Sequence, residues 1–234
     1  MTDVSPASTN QAFTLTIDWL AFTLPEASAH DVMRVVGGEW TKGKAGFRGY
    51  PVSWILADSS RGVGLLGTGS PRRLREVHVD LSAGIVSSWE LSKVQTILQW
   101  IFHQHGHVTR LDCALDDRQP LVPLAVITAA AEAGQCITRA DRAQVIRSFS
   151  LHKGTTSGET IYLGSPQSQT LLRVYDKRLE RLAKNHPDSD AYGIRWELEF
   201  KQDRANLCAK LLMNLQEPDW KESVVGLLRS YVDF

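Results

Sequence analysis

Cysteine is scarce in this chain: Cys113, Cys136 and Cys208 are the 3 among 234 residues. The number is odd, no two lie close together, and there is no Cys-x-x-Cys. That argues against a disulfide scaffold and a zinc ribbon, and suits a reducing cytosol. Net charge is missing too, since 26 Lys+Arg balance 26 Asp+Glu. Nucleic acid, if bound, must be held through local basic patches rather than bulk charge. No window reaches the ~18 uncharged apolar residues of a membrane span. The best N-terminal candidate, 13–20, carries Asp18 and alternates like a strand. No basic stretch precedes an apolar segment, so no signal peptide is read and a cytoplasmic protein without a membrane partner is expected. A Gly-x-x-x-x-Gly-Lys-Ser/Thr loop is lacking, which removes any sign of an intrinsic ATPase motor. What remains is ordinary globular composition, 43% hydrophobic and 22% charged. The length suits one large domain or two small ones.

Residues 1–12 are Ser/Thr/Ala-rich without periodicity and read as a tail. Strand-like alternation covers 13–24 and stops at Pro25. A short helix over 27–36 ends at Gly37-Gly38. Strands around 54–56 and 63–66 are joined by a turn at Ser59-Ser60, and 77–81 alternates as another strand. Apolar residues at helical spacing over 87–105 predict a helix closed by Gly106, followed by a strand over 107–116. The second half reads as a helix over 121–134, strands near 144–151, 159–164 and 169–177, a short charged helix, a strand over 191–200, and a helix over 202–214. Pro218 interrupts before a last helix over 219–231. The expected fold is α+β: antiparallel sheets with helices on one face. Two similar β/α halves, 13–116 and 117–234, form one catalytic domain spanning 13–234.

Three of these strands share a chemical pattern. Side chains alternate faces along a strand. In Arg110-Leu-Asp-Cys-Ala-Leu-Asp116 one face is apolar and the other carries Arg110, Asp112 and Asp116. In 171–177 the polar face carries Arg173, Tyr175 and Lys177, and in 194–200 it carries Arg195, Glu197 and Glu199. As neighbours in one sheet, these strands gather carboxylates, bases and a phenol. Clustered carboxylates raise one another's pKa unless a cation sits between them, and hard oxygen ligands suit Mg²⁺ or Mn²⁺. Arg and Lys beside a metal suit a phosphate, and a phenol there can attack phosphorus. Half-exposed antiparallel strands also alternate in this way for purely structural reasons. The residues alone leave both readings open.

Asp18-Trp-Leu-Ala-Phe-Thr23, His78-Val-Asp-Leu-Ser82, the Arg110–Asp116 run, Thr160-Ile-Tyr-Leu-Gly-Ser165, Leu171-Leu-Arg-Val-Tyr-Asp-Lys177 and Arg195-Trp-Glu-Leu-Glu-Phe-Lys201 follow one another in an order that resembles the replication initiation factor family (Rep_trans). Members of that family start rolling-circle replication of plasmids and filamentous phages, or act as relaxases. The resemblance covers roughly 13 to 205 and weakens to about 232. It implies Tyr175 as nucleophile with Arg173 and Lys177 beside it. It also implies Asp112 and Glu197 as metal ligands, with Asp116 and Glu199 as further candidates. Family members usually run further, so it implies that an origin-recognising C-terminal part is missing here. The His-hydrophobe-His motif of other rolling-circle initiators is absent; His103 and His105 fall at a helix C-terminus instead.

The chemistry implied is transesterification. Tyr175 attacks a DNA phosphodiester, giving a 5′-phosphotyrosine and a free 3′-hydroxyl that primes a polymerase. Lys177 and Arg173 are expected to lower the phenol's pKa. DNA contacts are expected from Arg110, Arg195, Arg178, Arg181 and Lys184, with origin DNA, single-stranded or supercoiled, as partner. Arg72, Arg73 and Arg75, and Arg139, Arg142 and Arg147, read as solvated faces. Tyr162 is the second choice of nucleophile. Competing readings are a phage or plasmid DNA-binding regulator without chemistry, a conjugative relaxase of the same family, and a metal-dependent hydrolase acting through water. The oligomeric state stays open, a homodimer included, as does a host helicase.

Overall fold

A computed structural model describes residues 13–58, 62–120, 122–152, 154 and 156–233. The expected tail over 1–12 and the turn at Ser59-Ser60 lie outside the described residues. The chain opens with β1 (Phe13–Leu24) and α1 (Ala29–Val36), then runs through β2 (Trp40–Lys42), β3 (Val52–Asp58), β4 (Gly62–Ser70) and β5 (Arg73–Leu81). Helices α2 (Ala83–Val86) and α3 (Leu91–His103) lead to β6 (His107–Asp117), α4 (Leu124–Glu132) and β7 (Ile137–Thr138). Next come β8 (Ala143–Phe149), β9 (Thr156–Leu163), β10 (Thr170–Asp176), α5 (Lys177–Ala183) and β11 (Ile194–Lys201). The chain closes with α6 (Gln202–Asn214), α7 (Glu217–Tyr231) and β12 (Val232–Asp233).

A 10-stranded antiparallel sheet holds the molecule together, ordered β2-β3-β4-β5-β1-β6-β11-β10-β9-β8. The order is mirrored about the β1/β6 seam. In each arm a central strand is followed by a helix (α1 or α4) and a meander that returns to flank it. The seam therefore falls between α3 and β6, so β6 opens the second arm rather than closing the first, as the division at 116/117 would have it.

One face of the sheet is apolar. Leu20 and Phe22 of β1, Leu111 and Cys113 of β6, Leu198 and Phe200 of β11, and Leu172 and Val174 of β10 are buried there. They pack with Ile97 and Ile101 of α3, Ala209 and Leu212 of α6, and Trp220 and Val224 of α7 in one core. Helices α1–α4, α6 and α7 thus cover one face, because only one side of each strand is apolar enough to bury, whereas α5 adds no residue to this core.

Local chemistry sets several boundaries. Ser28 caps α1, accepting from the Asp31 amide at 3.1 Å, and Gly37 at φ 81 ends it. Pro218 lies within the first turn of α7, where its missing N–H costs nothing, so it starts that helix instead of interrupting the chain before it. Two β-bulges interrupt the seam, at Asp18 and at Thr109. Each puts two successive residues on the polar face: Asp18 with Trp19, and Thr109 with Arg110.

Candidate active site

The polar face of β1, β6, β11 and β10 gathers the ionisable residues. Register places Glu199 opposite Asp112, Arg195 opposite Asp116, Arg173 opposite Glu197 and Tyr175 opposite Arg195. The three strands singled out in the sequence are therefore neighbours with their charged faces on one side.

Two clusters result. In the first, Asp112, Glu197 and Glu199 meet on one nitrogen. The Arg173 Nη2 lies 2.6 Å from Glu197 Oε1, 3.1 Å from Asp112 Oδ2 and 3.2 Å from Glu199 Oε2. Arg110 donates to Asp112 from Nε at 2.9 Å and from Nη2 at 2.6 Å, and its Nη2 reaches Glu199 at 3.0 Å. Lys201 closes on Glu199 Oε1 at 2.5 Å. Three acids face three cations, so the cluster is neutral in sum while every member is at least partly removed from water. In the second cluster Arg195, only 4% exposed, donates twice to Asp116 at 2.6 and 2.7 Å and once to Asp18 at 2.8 Å.

Tyr175 bridges the two. Its hydroxyl donates to Glu197 Oε2 at 3.2 Å and accepts from Lys177 Nζ at 3.5 Å. The Asp176 carboxylate accepts from the Leu179 amide at 2.8 Å and so starts α5 directly after the tyrosine. Lys177 is accordingly the first residue of that helix rather than the last of the strand, and it also pairs with Glu180 at 2.6 Å.

The electrostatics differ from the expectation for the phenol. Burial, first, and the Glu197 carboxylate push the Tyr175 pKa well up, with Arg195 opposing. The expected lowering does not emerge: removal from water is the largest effect, and the cation that opposes it is Arg195. Burial also pushes Glu197 up to about 7 against the pull of Arg173, and pushes Asp112 up against Arg110. A neutral phenol thus donates to a carboxyl group whose own pKa is raised by burial.

Arg195 is buried and its guanidinium pairs with Asp116 and Asp18, so Asp116 stands apart from the acid cluster. Arg178 pairs with Asp190 at 3.0 Å, Arg181 with Asp188, and Lys184 shares Glu180 with Lys177. Among the described residues no group of three His, Cys, Asp or Glu is laid out as a metal site. The four expected ligands separate into Asp112, Glu197 and Glu199, which converge, and Asp116, which does not. The convergent three supply hard oxygens, the donor type a divalent cation takes, around a point that Arg173 Nη2 holds.

The first arm contributes residues the sequence reading left without a role. Trp19 Nε1 donates to Asp80 at 2.6 Å, and Arg110 stacks 4.2 Å from the Trp19 ring centroid. Arg48 reaches Asp80 at 2.7 Å. Asp18-Trp19 and His78-Val-Asp80 lie in runs quoted above, so a signal existed, but the roles follow only from the seam bulges and the β5/β1 pairing.

The protein is of the α+β class, an antiparallel sheet with one packed face and one face of paired acids, bases and a phenol. The chain belongs to the replication initiation factor family, whose model matches residues 106–234. It is 28% identical over 223 residues to a putative DNA relaxase, NicK, of Bacillus subtilis (strain 168), an alignment covering 88% of this chain. The chain spans 60% of the length of that relative. Its fold resembles the rolling circle replication initiator protein from Geobacillus stearothermophilus, with a TM-score of 0.76, 20% identity, and coverage of 95% of this chain and 86% of that one. Among the described residues no helix is long and apolar enough to cross a membrane.

Proposed function

We propose that this chain nicks and rejoins DNA as a rolling-circle replication initiator, with Tyr175 as nucleophile. The observation that carries the reading is the Tyr175 hydroxyl, 3.2 Å from a Glu197 carboxylate whose pKa is pushed up to about 7. Glu197 accepts the phenol's proton, the phenolate oxygen bonds to phosphorus, and the 3′-oxygen leaves as the P–O bond breaks. The DNA is left joined to the protein through a 5′-phosphotyrosine. The reverse step, attack by the 3′-hydroxyl, reseals the strand without a nucleotide cofactor. Lys177 and Arg173 orient the phosphate and offset its charge. Asp112, Glu197 and Glu199 would hold Mg²⁺ or Mn²⁺, which when bound polarises the phosphate. Origin DNA is the substrate and the freed 3′-hydroxyl serves a polymerase; a host helicase, a second copy of the chain and a cytoplasmic setting are compatible. Conjugative transfer would use the same chemistry.

A second reading is a DNA-gripping regulator without chemistry. In its favour, Arg173 stands where the cation would sit. One assay separates the two: supercoiled or single-stranded origin DNA is incubated with Mg²⁺ or Mn²⁺ and resolved under denaturing conditions. A covalent adduct is expected, and Tyr175→Phe abolishes it with binding largely retained. An adduct surviving in that variant sinks the assignment to Tyr175. Nicked product without adduct points to hydrolysis by water.

A further inference from the structure

Beside the acid cluster lies a cavity of about 430 Å³, within the range of small-ligand sites. Its walls include Arg48, Tyr50, His78, Arg110, Lys201 and Gln202. Three of these are cations, each also paired with a carboxylate, Arg48 with Asp80 at 2.7 Å. Two of them, Arg110 and Lys201, also touch Glu199, at 3.0 and 2.5 Å. The cavity and the acid cluster therefore share a wall, and an occupant of one is the neighbour of an occupant of the other.

His78 is the informative residue. It is 7% exposed, and its Nδ1 lies 2.9 Å from the Thr23 hydroxyl. Its Nε2 is buried and has no hydrogen-bond partner among the described residues. A buried polar atom left unmatched costs stability unless something satisfies it. Burial and Arg48 depress the imidazole pKa, and Nε2 has one unspent hydrogen bond. Aromatic walls hold the ring in place. Tyr50 lies parallel to it with centroids 6.1 Å apart, and Phe47 flanks it at 5.9 Å. Gly67 makes this possible, because a Cβ there would come within 2.8 Å of the Tyr50 ring. Arg48 and Gln202 adopt positive φ, 47° and 51°, a conformation that non-glycine residues seldom take and that gathers at functional sites.

Cations at the mouth suit an anionic group, and a single unspent imidazole bond at an aromatic wall suits a planar polar edge. A nucleotide offers both. We propose that this cavity receives one nucleotide of a single strand, flanking the phosphodiester at the acid cluster, with Arg48, Arg110 and Lys201 on its phosphate and His78 Nε2 on its base. The flanking position rests on the nicking reading; the nucleotide site itself does not.

The test uses the whole chain labelled with ¹⁵N-histidine and followed by NMR. The His78 imidazole signal is identified as the one lost in His78→Gln. Each of the four deoxynucleoside monophosphates is titrated in turn, and inorganic phosphate alone serves as control. At least one nucleotide is expected to move the His78 signal while phosphate alone does not. Arg48→Gln, at an exposed side chain, is expected to weaken that titration about tenfold. No movement with any nucleotide, or the same movement with phosphate alone, overturns the proposal. An adduct in the nicking assay beside a silent His78 overturns the subsite and leaves nicking intact. A responding His78 with no adduct supports the subsite and counts against nicking.

Discussion

Glu197 concentrates the chemistry of single residues in this molecule. Its carboxyl is 4% exposed and its pKa is pushed from the ordinary 4.5 up to about 7. An acid whose pKa is higher in the fold binds its proton more tightly there. Its stabilising contribution is therefore present below the ordinary value and lost as pH rises through about 7. Catalysis runs the other way, since only the carboxylate can accept the phenol's proton. Adduct formation by the wild type should rise through about pH 7, followed by single-turnover assays across this window; Glu197→Gln should flatten the profile at a low rate. A profile without that inflection would remove Glu197 as base. Arg173 gives a second expectation. Breaking a buried ion pair from one side costs about 3–5 kcal/mol, so Arg173→Gln should melt earlier in metal-free buffer. Mg²⁺ or Mn²⁺ should then restore the variant more than it raises the wild type, as seen in thermal melts with and without cation. Equal shifts in both proteins would mean that guanidinium and cation do not share a place.

At the scale of elements, the legible parts were those with a strong period. Leu111, Cys113 and Leu115 against Arg110, Asp112 and Asp116 announce a two-faced strand, and the same holds around Glu197 and Arg173. The helix over 202–214 begins and ends where its apolar spacing said it would. The bulges at Asp18 and Thr109 were not legible, because one extra residue leaves no mark in a pattern read one strand at a time. Yet the Asp18 bulge brings that carboxylate onto Arg195, which also holds Asp116. Burial was equally hidden: residue types alone suggested a phenol made acidic by neighbouring cations, whereas the depth of β10 in the sheet decides the sign.

For the whole molecule, stability rests on the apolar face of the sheet. Phe22 is fully buried under the helices, and its truncation to Ala should cost about 3–5 kcal/mol. At roughly 2–4 °C per kcal/mol for a chain of this size, Tm should fall by roughly 6–20 °C. Leu74, 75% exposed, is the control, and its truncation should leave Tm almost unchanged. Equal effects at the two positions would contradict the layer order described above.

The mirrored strand order has a mechanical corollary. The two meanders meet along β1 and β6, and the Asp18–Arg195 pair stitches that join from opposite sides while resting directly behind Tyr175. A slide of one wing against the other at this point would therefore pull on the arginine that neighbours the tyrosine.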